Sequence, residues 1–345
     1  MIDKTNRSVS RGKGETMLTL SIIVPVYNVE AYLPKCLDSV IDPALGDYEI
    51  VCVDDGSSDS SPQILAEYQA RYPQLIKVIS TVNSGVGAAS NTGLEHAAGE
   101  FVTFLDSDDY YAPHAVPEML EACHREYDIT IFDFSNVSES GRLINTTRGC
   151  NRSEGSFTLE EYPQLLFEMP SKANKIFRHT LFTDHSVTFP AHVWFEDYRT
   201  TPKLYIHAGK IRYLSRIWYN YLQRSSSITH GTNAAKNLEI IAASEDLVSY
   251  YRDAGLYEKY QNELDYTVYY NALLTTTDRV NLIDPGSAVQ GQLLDWFLET
   301  FPDYRQNPYF RSMGRKYKLL HSLIAHRQYR ALHLLLNANN ILKGK

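Results

Sequence analysis

The chain has 345 residues, 43% of them hydrophobic and 21% charged, with a formal charge of −8. That length can bury a sizeable core and is expected to divide into two domains. The balance is that of a globular protein, not a disordered or fibrous one, and no stretch approaches the ~18 uninterrupted apolar residues of a membrane span.

The amino terminus lacks the apolar core of a secretory signal. Residues 1–17 read as a polar, flexible leader, with Met17 as an alternative start. The first strand is expected over Leu18–Val26, ending at Pro25-Val26-Tyr27-Asn28. A helix follows, with Pro34 tolerated in its first turn and Leu33, Leu37, Val40 and Ile41 on one face. The apolar run Ile50–Val53 is a second strand. It leads through Asp54-Asp55-Gly56-Ser57-Ser58-Asp59 into a helix carrying Ile64, Leu65, Tyr68 and Tyr72. Ile76–Val82 is a third strand, and the small residues of Asn83-Ser84-Gly85-Val86-Gly87-Ala88-Ala89 open a helix that permits close backbone approach. The strand 101–105, a helix near 114–126 and a strand over Asp128–Phe134 complete an α/β alternation. Beyond it come a loop or short hairpin (135–156), a helix after Phe157, strand-like alternation over His207–Leu222, and a mostly helical region from Ala234. The expected units are therefore 18–233 and a helical region 234–345.

Helices between apolar runs indicate one largely parallel sheet. Two of its strands end abruptly in acids, at Asp54-Asp55 and at Asp106-Ser107-Asp108-Asp109. Both clusters then share the carboxyl edge, where open α/β sheets bind ligands. A D-x-D turn presents carboxylate oxygens suited to Mg²⁺ or Mn²⁺, although acids are common in turns for local reasons. Asp54 or Asp55 could accept from a nucleobase N–H or a ribose hydroxyl, or simply cap the next helix. In Trp194-Phe195-Glu196-Asp197-Tyr198, two acids follow two aromatics at the start of a helix containing Pro202. They could cap that helix, or one carboxylate in a partly apolar setting could serve as general base.

These segments are specific enough to carry a resemblance. SIIVPVYNVEAYLPKCLDSV, IVCVDDGSSDSS and NSGVGAASNTGLEHAAGEFVTFLDSDD resemble the family 2 glycosyltransferases of GT-A fold. KANKIFRHTLF, WFEDY and YNYLQRSSSIT resemble later landmarks of bacterial members that build surface polysaccharides, so the likeness runs colinearly over about 18–230. It implies a GT-A (Rossmann-like) α/β fold and a nucleotide-sugar donor, UDP-linked by the likeness around Asp55. It implies a nucleotide cradle of Pro25, Tyr27, Glu30, Asp55, Asn83, Gly87, Asn91, Asp106 and Ser107. Tyr27 would lie near the base, Asp55 would accept from uracil, Asp106 would face ribose and metal, and Asp108 would ligate Mn²⁺ or Mg²⁺. Asp197 would be the catalytic base, with Glu196 its rival, and the transfer would invert the sugar. The acceptor would be a glycan or a lipid-linked oligosaccharide.

One departure concerns Ser90, which stands where many relatives carry Arg before the Asn; Lys172, Lys175 or Arg178 are the available substitutes. Two rival readings follow. A non-catalytic scaffold of the same fold finds support in Ser90 but not in the intact Asp55, Asp106, Asp108 and Asp197. A sugar-phosphate nucleotidyltransferase would carry a basic Gly-rich loop where Pro25-Val26-Tyr27-Asn28 stands.

The four cysteines, at 36, 52, 123 and 150, form no C-x-x-C pair, which argues against zinc and suits a cytosolic compartment. From Tyr304 to Lys345 there are nine Lys and Arg and no acid, which leaves −17 on the rest of the chain. Leu319, Leu320, Leu323 and Ile324 among those cations describe either a helix lying on the cytoplasmic face of an anionic membrane or one packed on the protein with a solvated basic face. No nucleic-acid module is recognisable. The tyrosines between 250 and 270 are expected in helix packing more than in sugar stacking.

Overall fold

The computed structural model describes residues 18–224 and 233–342. The expected leader, part of the 219–229 landmark, Lys343 and Lys345 lie outside the described residues, and the expected boundary near 233 abuts the segment 225–232, which does so too. The strands are β1 (Leu20–Val26), β2 (Tyr48–Asp54), β3 (Ile76–Ser80), β4 (Phe101–Phe104), β5 (Tyr110–Tyr111), β6 (Ile129–Ser138), β7 (Leu143–Thr147), β8 (Gly155–Phe157), β9 (Lys175–Arg178) and β10 (Ile211–Gln223). They form one sheet of order β3-β2-β1-β4-β9-β6-β10-β5, with β7 on β6 and β8 on β10.

The first four strands run parallel, as the apolar runs require. Every residue of β1 and β2 is buried, because helices cover both faces. Side chains alternate: Ile22, Val24, Ile50 and Cys52 face one core cluster, while Ile23, Val51 and Val53 face the other. The sheet then departs from the parallel expectation, because β9 enters antiparallel between β4 and β6. The segment left open as loop or hairpin is the β6–β7 hairpin. The helix expected after Phe157 is only a 3₁₀ turn at Pro163–Phe167. Pro163 can start such a turn, but the backbone leaves it in an extended residue, Glu168.

One face carries α1 (Leu33–Asp38), α2 (Ser61–Arg71) and α4 (Ala115–Ala122); the other carries α3 (Val86–His96), α5 (Thr180–Thr183) and α6 (Glu196–Tyr205). The helical region adds α7 (Glu239–Asp253), α8 (Tyr257–Val268), α9 (Thr276–Ile283), α10 (Val289–Thr300), α11 (Pro308–Ser312), α12 (Arg315–Ala325) and α13 (Tyr329–Leu342). A π-helical stretch, Tyr269–Thr275, joins α8 to α9. Tyr251, Tyr260 and Tyr269 are buried in the same cluster as Phe104 and Phe177 of the sheet, so these tyrosines pack helices. Leu320 and Ile324 of α12 join that cluster too, while Arg315, Lys316 and Lys318 face outward.

Asp278 on α9 is a charge set into this helical core. Its Oδ1 is buried without a hydrogen-bond partner. Burial pushes its carboxyl up to about 6, the charge of Lys316 acting the other way. A folded-state value above the unfolded one means stability is greatest below the unfolded value of about 4 and falls as pH rises through about 6. Asp278→Asn should therefore raise the urea midpoint at pH 7 and leave it unchanged near pH 4. Equal midpoints at both pH values would refute the penalty.

Candidate active site

The carboxyl ends of β1, β2 and β4 open into a cavity of about 910 Å³, closed on its far side by α6 and by the π-helical stretch and α9. Pro25, Tyr27, Asp55 and Asn83 line its β1–β2 end, and Asp106, Ser107 and Asp108 its floor. Glu196 and Asp197 line the same cavity. Sequence positions from 25 to 197 thus converge on one space.

Three expected nucleotide contacts do not line it, and each has a scaffold task instead. Glu30 accepts from Ser60 N–H (2.7 Å) and ties the β1–α1 and β2–α2 loops together. Gly87 lies so near the chain at Pro190 that a Cβ would sit 2.2 Å from the Pro190 carbonyl oxygen. Asn91 clamps Phe189, donating to its carbonyl (2.7 Å) and accepting from its N–H (2.9 Å). Asp55 has a double position. It lines the cavity, yet its two oxygens accept from Ser84 N–H and Gly85 N–H (2.8 Å each) and so hold the start of α3. Asp54 closes its own turn by accepting from Ser57 N–H (3.0 Å).

The acidic turn after β4 is held by a residue that sequence reasoning passed over. Asp109, 1% exposed, accepts from Tyr219 O–H (2.5 Å) and Leu222 N–H (2.7 Å), which latches β10 to the turn. Burial and the neighbouring Asp106 push its carboxyl well up. Burial also raises Asp106, against the opposing charge of Lys172.

Asp197 and Glu196 sit at the first turn of α6, aimed by Phe195, whose φ of 65° places it in the left-handed region. Lys172 reaches them from the chain before β9. Its Nζ lies 3.0 Å from Asp197 and 3.6 Å from Glu196, and its backbone N–H donates to the second Asp197 oxygen (3.0 Å). Burial alone would lower this ammonium, but Asp197, Asp106 and Glu196 together raise it above its ordinary value, so it is a permanent cation. Burial likewise raises Glu196.

Of the other substitutes for the missing arginine, Lys175 is spent on carbonyls of Met169 and Ser171, where burial lowers it to about 8. Arg178 is bound to Asp128 and Glu100 away from the cavity. Ser90 is buried and bonds back to Val86 within α3. The cation that does reach the acidic turn is Arg224 at the end of β10, paired with Asp108 and lying over the Tyr32 ring at 4.8 Å.

Among the described residues no three His, Cys, Asp or Glu side chains gather as a metal cluster. The turn therefore offers a divalent ion at most Asp106 and Asp108. That suits the small hard cations, which take one or two carboxylates and complete their shell with phosphate oxygens and water.

Residues 21–185 match the family model "Glycosyl transferase family 2". EpsH of Bacillus subtilis is 31% identical over 255 residues, covering 71% of this chain and 73% of that protein. The chain belongs to glycosyltransferase family 2. This family 2 chain is also 31% identical over 252 residues to a poly(ribitol-phosphate) beta-glucosyltransferase of Bacillus spizizenii, covering 70% of itself but only 38% of that protein. Its fold is like that of Staphylococcus aureus TarS, solved in complex with UDP-GlcNAc, with a TM-score of 0.55 and 24% identity, covering 84% of this chain and 92% of that one. That likeness bears on fold alone. The GT-A architecture expected from the sequence is thus present in this glycosyltransferase, with its acidic turn at the cavity floor.

Proposed function

We propose that this glycosyltransferase is an inverting, cation-assisted enzyme that moves a sugar from a UDP-sugar to a hydroxyl of a surface-polysaccharide or lipid-linked acceptor. The observation that carries the reading is that Asp197 shares one cavity with Asp106 and Asp108. Pro25, Tyr27, Asp55 and Asn83 offer the nucleoside a cradle. Asp197, an acceptor of protons held in place by Lys172, receives the proton of the attacking hydroxyl. Direct attack inverts the anomeric carbon, and the Glu-Asp motif offers no second nucleophile for a covalent intermediate. Asp108 and Asp106 would hold a divalent ion, which when bound would supply Lewis-acid stabilisation of a leaving diphosphate worth roughly several kcal/mol. The resemblance of the sequence around Asp55 favours a UDP-linked donor. The beta-glucosyl product in the name of the Bacillus spizizenii relative is what inversion of an α-linked donor yields.

A panel of UDP- and GDP-sugars with Mn²⁺, reading released nucleotide, tests the reading. Release from no donor would sink it. Asp108→Ala should weaken Mn²⁺-dependent binding of the UDP-sugar by about tenfold or more in a calorimetric titration. Because the same change frees Arg224, binding without Mn²⁺ should not weaken. Unchanged Mn²⁺-dependent affinity would remove Asp108 from the ion.

Among the described residues no helix is long and apolar enough to cross a membrane. The exposed cations of α12 and α13 suit peripheral contact at a cytoplasmic anionic surface. Neutralising Arg315, Lys316 and Arg330 to Gln should cut pelleting with phosphatidylglycerol vesicles by about a hundredfold, at roughly 1 kcal/mol per charge. Undiminished pelleting would exclude this face.

A further inference from the structure

The cavity is larger than the donor-facing residues account for, and its far wall comes from the helical region. Asn271, Thr275, Thr276 and Arg279 line that wall. Positions 271, 275 and 279 are spaced by four, which stacks them on one helical face. They straddle the junction between the π-helical stretch and α9, and a π-helical turn is a recurrent mark of functional sites.

Arg279 is the unusual member. Its guanidinium lies 5.5 Å from the centre of the Phe195 ring, and among the described residues it makes no hydrogen bond or ion pair. Every other arginine named at this cavity or behind it has a carboxylate: Arg224 has Asp108 and Arg178 has Asp128. A half-buried guanidinium with five donors and no acceptor is costly unless something supplies the acceptor. Burial holds Arg279 below the usual guanidinium range, with the Tyr221 phenol the one neighbour acting the other way.

The cation paired at the acidic turn is Arg224, not Arg279. Arg279 stands beside Phe195, the residue that aims Glu196 and Asp197. An anion seated on it would therefore be carried by the molecule whose hydroxyl meets Asp197, not by the nucleotide.

We infer that Arg279, with the Thr275 hydroxyl one turn before it, is the acceptor subsite for an oxyanion, a phosphate or a carboxylate borne by the acceptor chain next to its reacting hydroxyl. A planar guanidinium offers two parallel N–H bonds to either group. The helical region is then part of the specificity apparatus, and the acceptor is an anionic polymer. This rests on the glycosyltransfer reading above.

The test uses the full chain with UDP present and three calorimetric probes: a short ribitol-phosphate oligomer, an oligogalacturonate and an uncharged oligoglucoside. One of the two anionic probes should bind. Arg279→Gln should weaken that probe by about tenfold or more, and Arg279→Lys should fall between, since a point charge keeps attraction and loses the fork. Which anionic probe binds distinguishes phosphate from carboxylate. A UDP titration of each variant reports the integrity of the donor end. If the wild-type chain fails to bind UDP, it is the donor reading that falls. If UDP binds while neither anionic probe does, or if Arg279→Gln binds the probe as the wild type does, the subsite is overturned.

Discussion

Replacing Asp197 by Asn should leave UDP-sugar affinity intact and slow turnover by about 10²–10⁴-fold, the usual worth of a positioned base. Asp197 spends one oxygen on Lys172 Nζ and the other on Lys172 N–H, both at 3.0 Å. A carboxylate has about four acceptor positions, so two remain for an incoming proton while the first two fix its aim. The amide keeps the shape and loses the basicity. Steady-state rates at saturating donor, beside a calorimetric titration of UDP, separate the two effects. Glu196→Gln should cost far less, because Glu196 is the more distant partner of Lys172, at 3.6 Å. Wild-type turnover in Asp197→Asn, with collapse in Glu196→Gln, would exchange their roles.

Replacing Lys172 by Met should destabilise the fold by about 3–5 kcal/mol, the cost of removing one partner from a buried ion pair. The ammonium is 3% exposed and serves two carboxylates directly, with Asp106 also within its field. The pH dependence has a definite sign. A lysine raised in the folded state contributes its stability fully below the unfolded value of about 10.4 and loses it only above the folded one. The lysine itself therefore adds no slope between pH 5 and 9. Its removal strips a lowering influence from Asp106 and Glu196, both already raised by burial. Their stranded charges are neutralised as pH falls, so the deficit should be larger at pH 8 than at pH 5. Urea unfolding at both values checks this. A wild-type midpoint at pH 8 would show that Lys172 does not hold the acids together.

The strand-end side of the cavity was legible because its signals are local. Parallel strands buried on both faces read as unbroken apolar runs, and an abrupt change to Asp marks where such a strand leaves the core. Crossover connections of one hand then bring successive carboxyl ends to the same edge. Asp55, Asp106 and Asp108 could be placed together from that rule, and Asp197 from its motif. The rule fails at β9, a four-residue strand too short to show a period, which enters antiparallel. The family resemblance, not that rule, put Glu30, Gly87 and Asn91 in the cradle, and these polar or small residues meet loops rather than the cavity.

What the sequence alone determined is the α/β frame, the acidic carboxyl edge and the family. Tertiary structure decided the pairing of charges: Lys172 with Asp197, Arg224 with Asp108, Asp109 with Tyr219, and Arg279 with no carboxylate among the described residues. Hydrophobic periodicity records which face of an element is buried. It carries no record of which distant polar group that face will meet, because such a pair is fixed only when separate elements pack and water is excluded between them.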